Sequence, residues 1–243
     1  MTSKAEAAYL TLRQHILDAQ LAPGAPLRHD RLREMHDIGW TPLREALQRL
    51  EAEQLVISKP NRGFFVAEIS EGEISDLLNT RLVLEEPLLE EAMRLGDEDW
   101  EVGIVEAHHR LSRAANILSD LTLENLRDWD ARHRGFHLSL INAARSVWQK
   151  RLYNQVWDHL RRHQFHMTIA PLITAKQAGR APDDTLMSRL HNAMNGLSHE
   201  RLMRAVLDRD TETARLLLKL HVGETLGVYR AVRQSHGTPD HAA

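Results

Sequence analysis

The chain contains no cysteine in its 243 residues, which excludes disulfides and thiolate metal sites and fits a reducing compartment. Long hydrophobic runs are missing as well. The opening MTSKAEAAYLTLRQHIL is interrupted by Lys4, Glu6, Arg13 and His15, so it has no continuous apolar core for a signal peptide. No later stretch reaches the roughly 20 apolar residues of a membrane span. A soluble cytoplasmic protein without a membrane partner is therefore expected. There is no excess of positive charge: the formal net charge is −3, so attraction to nucleic acid must come from a local patch. Several catalytic signatures are also absent. No HExxH and no glycine-rich phosphate loop occurs, and GLSHE lacks the glycine after serine that a nucleophile elbow requires.

What is present is the composition of a soluble globular protein, 42% hydrophobic and 27% charged, at a length that favours two domains. Histidine stands out, with 15 copies, most of them beyond residue 100. The periodicity predicts an amphipathic helix over Glu6 to Gln20, stopped by LAPGAPL, then a short helix over Asp30 to His36 and a DIGW turn. A further helix is expected from Thr41, with the Thr41 hydroxyl as cap, Pro42 at the first helical position and Glu45 in the first turn. The stretch LVIS, KPNRG, FFVAE then reads as a tight two-stranded hairpin. Beyond Ser70 nearly everything is helical, with breaks at GDED, near Ser119 and Arg145, at APLITAKQAGRAPDD and at Asp208 to Asp210. The expected fold is thus mostly α: a winged helix-turn-helix over residues 1–69, an all-α antiparallel bundle over 70–235, and a disordered tail over 236–243.

A helix reached by a tight turn and followed by a hairpin can enter the major groove of duplex DNA while the hairpin tip reaches the adjoining backbone or minor groove. On that layout Trp40, Thr41, Leu43 and Arg44 lie at the base-facing end, Arg44 as a bidentate partner for guanine and Thr41 as a phosphate contact. Asn61, Arg62 and Gly63 supply the wing, and Arg31, Arg33 and Arg49 complete the expected DNA-contacting set. The residues alone also admit a plainer reading, in which Arg44 and Glu45 sit on an ordinary solvent face and KPNRG is a polar turn. The run DIGWTPLREALQRLEAEQLV with KPNRGFFV, preceded by AYLTLRQHILDAQLAPGAPL, resembles the DNA-binding domain of the GntR family of bacterial transcription regulators. One position departs: Trp40 stands where the family often has a DNA-contacting arginine.

In the second domain, His133 and His137 are four residues apart and share a helix face, and His199 and His221 are 22 apart across an expected turn. Neutral imidazoles suit zinc, nickel, copper or iron rather than calcium or magnesium. RLVLE, HRGFH and HERLMRAVLDRDTETARLLLKLH resemble the helical effector domain of the FCD branch. That resemblance implies a divalent transition metal, zinc or nickel foremost, on His133, His137, His199 and His221, with a small carboxylate effector beside it. The family usually has Asp or Asn at the position of His133, and Asp130 is the second-choice ligand. The resemblance also implies that Arg81 points into the effector pocket; by spacing it can equally pair with Glu85 on its own helix. Arg162 and His163 are expected to line the same pocket, while His159, His163 and His166 share a face that reads as a polar lining or a surface stripe. His108 and His109 are expected at the surface. The function implied is a ligand-controlled repressor, a homodimer on a palindromic double-stranded operator. The alternatives are a metal-dependent enzyme in the helical domain, or a DNA-binding protein whose metal is structural or sensed.

Overall fold

Residues 3–36, 38–114, 122–179, 184–194 and 196–236 are described by the structure, a computed structural model. The first helix, α1 (Lys4–Leu17), is capped by Ser3, whose hydroxyl accepts from the Glu6 amide. Next come α2 (His29–His36) and α3 (Trp40–Ala52). The hairpin pairs β1 (Val56–Lys59) with β2 (Gly63–Val66), Val56 opposite Val66 and Lys59 opposite Gly63. The chain after α1 returns to this hairpin. Leu27 donates to the Phe64 carbonyl, and Gly24 to that of Val66. Gly24 has φ of +71°, a left-handed conformation in which a side chain is strained, and a Cβ there would also have to displace the Glu68 carboxylate, 2.5 Å away.

Leu12, Ile16, Leu43, Ala46, Leu50 and Val66 are wholly buried in the core of this unit. Leu43, expected at the base-facing end, is instead buried in this core, where it forms part of the floor of the groove between α3 and the wing. It lies on the stripe with Ala46, Leu47 and Leu50, and burial of such a side chain stabilises by about 1.5–3 kcal/mol. The start of α3 also differs from expectation. Gly39 occupies the cap position without a side-chain bond, so Thr41 and Pro42 lie inside the first turn and Glu45 beyond it.

The second unit is helical throughout: α4 (Glu71–Leu95), α5 (Glu98–Ser112), α6 (Leu123–Leu140), α7 (Val147–Gln164), α8 (Ala170–Gln177), α9 (Asp184–Met194), α10 (Gly196–Leu207) and α11 (Thr211–His236). Ser70, Asp97, Thr122 and Ser146 cap α4 to α7 through their side chains. One predicted break moves. The helix does not stop at Ala170: α7 continues through a π-helical turn, Phe165–Ile169, into α8, and Pro171, which has no N–H to donate back, stands just beyond that turn. Arg209, with φ of +58°, makes the sharp turn between α10 and α11. Its guanidinium donates to the Met93 and Gly96 carbonyls and stacks on Trp100, which pins that turn to the α4–α5 corner. His236 belongs to α11, so the predicted tail does not begin there, and 237–243 lie outside the described residues. Among the described residues, no helix is long and apolar enough to cross a membrane.

Candidate metal centre and nucleic-acid interface

Three helices bring the four predicted histidines together. His133 and His137 stand one turn apart on α6, His199 lies near the start of α10, and His221 lies within α11. All four are buried, and their donor nitrogens lie within 4.8 Å of one another. His221 Nε2 is 3.1 Å from His137 Nε2 and 3.3 Å from His133 Nε2. Four nitrogens around one ion at about 2.0–2.1 Å stand roughly 3.3–3.4 Å apart when tetrahedral, so these distances suit a shared cation. Burial lowers the pKa of His133, of His137 and of His221; neighbouring imidazoles and Arg81 add to the effect at His133 and His221, while at His137 Arg81 adds to it and Glu85 opposes it. Neutral rings keep their lone pairs for a metal. The Nδ1 of His221 has no hydrogen-bond partner among the described residues. Four facing imidazoles without a polar purpose would be a costly core, and the donor set fits a late transition metal.

Asp130 does not join this cluster; its carboxylate pairs with Arg161 at 2.9 Å. The supporting shell is built by residues of α4 and α7. Glu85 Oε1 lies 2.9 Å from His137 Nδ1, and Arg81 Nε donates to Glu85 Oε2 at 2.7 Å. Arg81 also stacks over the Trp157 ring at 4.4 Å. Burial alone would raise the Glu85 pKa, but Arg81 and His137 hold it down to about 2. With Nδ1–H donating to this carboxylate, Nε2 of His137 is free to face the cluster. Glu85, at the i+4 position from Arg81, entered the sequence reading only as a pairing partner; its contact with His137 carries no sequence signal.

A cavity of about 70 Å³ opens on the other side. Its walls are Leu126, Trp129, His133, Gln164, Thr168, Ile169, Leu172, Leu190, Met194, His221, Thr225 and Val228. Two of the four imidazoles thus border open space, and so does the π-helical turn, a distortion often found at functional sites. Arg81, Arg162 and His163 do not line it. Arg162, wholly buried, donates to the Ala67 carbonyl at 2.8 Å and the Glu68 carbonyl at 3.1 Å. His163 Nε2 lies 2.9 Å from Glu73, and His159 Nε2 lies 2.8 Å from the Glu53 carbonyl. Asp158 pairs with Arg13 of α1 and, at 2.7 Å, with Arg134. Arg161 and Arg127 both reach Asp18, at 2.9 and 2.7 Å. So Asp158, His159, Arg161 and Arg162 of α7 are neither surface stripe nor pocket lining: they dock the helical unit onto the winged unit, while His163 ties α7 to α4. His166 is half-buried, and burial lowers its pKa to about 4. His108 packs edge-on against Phe136 rather than lying free at the surface, whereas His109 is exposed.

On the winged unit, Thr41, Arg44 and Gln48 are exposed on α3, with Asn61, Arg62 and Gly63 exposed at the hairpin tip. Trp40 is 58% exposed and packs edge-on against His29 at 4.1 Å. A groove of about 750 Å³ runs between α3 and the wing, bordered by Arg28, Trp40, Arg44, Gln48 and Arg62 among others. Gln48, one turn beyond Arg44, and Arg28 join the groove in addition to the expected residues, Gln48 by the same i+4 spacing. Arg31 and Arg33 are exposed on α2. Arg49 instead faces α1, bonding Glu6 at 2.6 Å and covering the Tyr9 ring.

A winged helix-turn-helix docked on a helical bundle with a buried polyhistidine centre is the build of a DNA-binding transcription regulator. Residues 4–66 match the family model of bacterial regulatory proteins, gntR family, and residues 76–224 match the FCD domain. The chain belongs to the GntR family of bacterial transcription regulators and carries an FCD domain. It is 28% identical over 232 residues to the HTH-type transcriptional regulator BphR of Paraburkholderia xenovorans, covering 93% of this chain and 84% of that one. It is likewise 28% identical over 214 residues to the HTH-type transcriptional repressor GlaR of Escherichia coli, covering 88% and 90%. In fold it is similar to E. coli McbR/YncC, with a TM-score of 0.68 at 19% identity over 95% of this chain and 98% of that one. A GntR regulator from Rhodococcus sp. RHA1 gives a TM-score of 0.67 at 23% identity, covering 98% and 100%. These families and relatives are regulators rather than enzymes, and regulators of this family bind DNA operators.

Proposed function

We propose that this regulator is a cytoplasmic homodimeric repressor whose DNA affinity is set by a divalent metal and a small carboxylate in the helical domain. His133, His137, His199 and His221 would hold the metal, zinc or nickel foremost, and when bound it supplies a positive charge that attracts an anionic ligand. Since all four donors are neutral, the nearest carboxylate, Glu85, offsets that charge only through the His137 ring. GlaR, a relative over most of the chain, bears the name of a repressor, which supports the direction of control.

The observation that carries the coupling is α7. Its Trp157 ring lies 5.5 Å from His133 and 5.4 Å from His137, and its end, Gln164, borders the cavity. On the same helix Asp158, His159 and Arg162 grip the winged unit at Arg13, Glu53 and the Ala67–Glu68 carbonyls. A shift of α7 that follows ligand entry therefore reaches α1, the end of α3 and the interdomain junction without an intervening linker. In a homodimer such a shift changes the spacing of two recognition helices, and an effector acts only as far as its affinities for the two arrangements differ. Arg44, Thr41 and Gln48 would face bases and phosphates, with Asn61, Arg62 and Gly63 at the wing.

Fluorescence anisotropy on duplex DNA from the gene's own upstream region tests this, across a salt series and with metal-loaded and chelated protein. Sequence-selective binding that weakens steeply with salt, and that changes on chelation, is expected. Equal affinity in the two forms would remove the metal from the switch.

A further inference from the structure

The walls of the cavity constrain the ligand's charge. His133 and His221 border it, Leu172, Met194 and Val228 are among its apolar walls, and its other polar residues besides Trp129 are the uncharged Gln164, Thr168 and Thr225. No arginine or lysine lines it among the described residues. The two wholly enclosed arginines of the helical unit are already committed, Arg81 to Glu85 and Arg162 to the Ala67 and Glu68 carbonyls. An anionic group placed against these apolar walls, away from the histidines, meets no arginine or lysine among the described lining residues and gives up part of its hydration without a countercharge there. A hydrocarbon group there gains instead, by about fourfold in affinity for each methylene fully removed from water.

From this lining we infer that the effector is a monocarboxylic acid with an apolar body, its carboxylate directed at the His133–His221 side and its hydrocarbon at Leu172, Met194 and Val228. The inference rests on the reading above that the histidine cluster holds a metal beside which a carboxylate binds. It separates this chain's ligand from dicarboxylates whose second charge stands at the far end of the molecule.

The test is calorimetric titration of the full, zinc-loaded chain with hexanoate, butanoate, hexanedioate and 1-hexanol. Hexanoate is expected to bind at least tenfold more tightly than hexanedioate. It should also exceed butanoate by up to about fifteenfold for its two extra methylenes. Hexanol, which lacks the anchor, should bind more weakly than hexanoate. Thr225, half-buried on the cavity wall one turn from His221, offers a reversal. Thr225→Arg supplies the missing countercharge and should raise the affinity for hexanedioate relative to hexanoate at least tenfold. The wild-type comparison decides the matter if that variant does not fold. Hexanedioate binding as tightly as hexanoate would overturn the inference while leaving the metal–carboxylate reading intact. No binding of either acid to the zinc-loaded chain would overturn that reading, and the inference with it.

Discussion

Arg162 offers the sharpest test of how the two units communicate. Its guanidinium is wholly buried and donates to two backbone carbonyls at 2.8 and 3.1 Å, both in the strip that leads from β2 into α4. Glu73 lies 3.6 Å away, in the first turn of α4. Arg162→Met keeps the length and much of the apolar volume but removes the donors. Each hydrogen bond to a charged group is worth about 1.5–3 kcal/mol, and a carbonyl left buried without a donor costs about 1–3 kcal/mol. The substitution should therefore weaken docking of the winged unit by about 3–5 kcal/mol. Coupling between two sites usually amounts to about 1–3 kcal/mol, so a loss of this size is enough to abolish it. The readout is the ratio of operator affinities for metal-loaded and chelated protein. In the variant that ratio should approach one, while metal content stays at the wild-type level and the chelated form keeps its DNA affinity within about threefold. A variant that folds, loses the two bonds and retains the wild-type ratio would refute the argument that α7 transmits the signal.

Removal of metal ligands should act differently. His137→Ala or His221→Ala is expected to lower the metal bound per chain, measured by atomic emission, by at least tenfold without unfolding the winged unit. Glu85→Gln keeps the shape of the side chain but weakens its hold on His137 Nδ1 and leaves Arg81 without its countercharge, so metal affinity should fall by about 10- to 100-fold in a chelator competition. Arg44→Ala should cost about 1–3 kcal/mol on the operator and much less on unrelated duplex, whereas Arg62→Ala should weaken both alike and reduce the salt slope by about one. Metal-free protein should lose stability as pH falls. The unfolded imidazoles take up protons near 6.5, while burial lowers the folded pKa of His166 to about 4 and those of His133 and His221 well below the usual range. Acid therefore favours the unfolded chain from about pH 6.5 downward, and a thermal melt whose midpoint is flat between pH 7 and 5 would contradict the burial of these rings.

How much of this was legible beforehand depends on whether a feature is local. The 3.6-residue period and the Pro-Gly and Asn-Arg-Gly turns are short-range signals, and they place the helices of the winged unit and its hairpin to within a few residues. Leu43 shows where such reasoning slips: a position near the start of a recognition helix reads as base-facing, yet its place on the stripe with Ala46, Leu47 and Leu50 sends it into the core. The four histidines are legible as an i, i+4 pair and a pair flanking an expected turn, and the resemblance to the FCD branch is what joins them into one ligand set. What they rest on is not. Glu85 on α4 reaches His137 on α6, and Trp157 on α7 packs against the same ring; neither contact follows from spacing along the chain. The same holds for the polar face of α7. Read alone, DHLRRH is a basic amphipathic stretch that suits a pocket or a surface. Only the approach of Asp18, Glu53 and the Ala67–Glu68 carbonyls, all from the winged unit, makes its charges an interdomain lock. Such groups are buried against a separate unit, where an unmatched charge costs more than a matched one stabilises. These charges therefore act mainly to fix one arrangement of the two units, and under the proposed function an effector must break or re-form them to reach another.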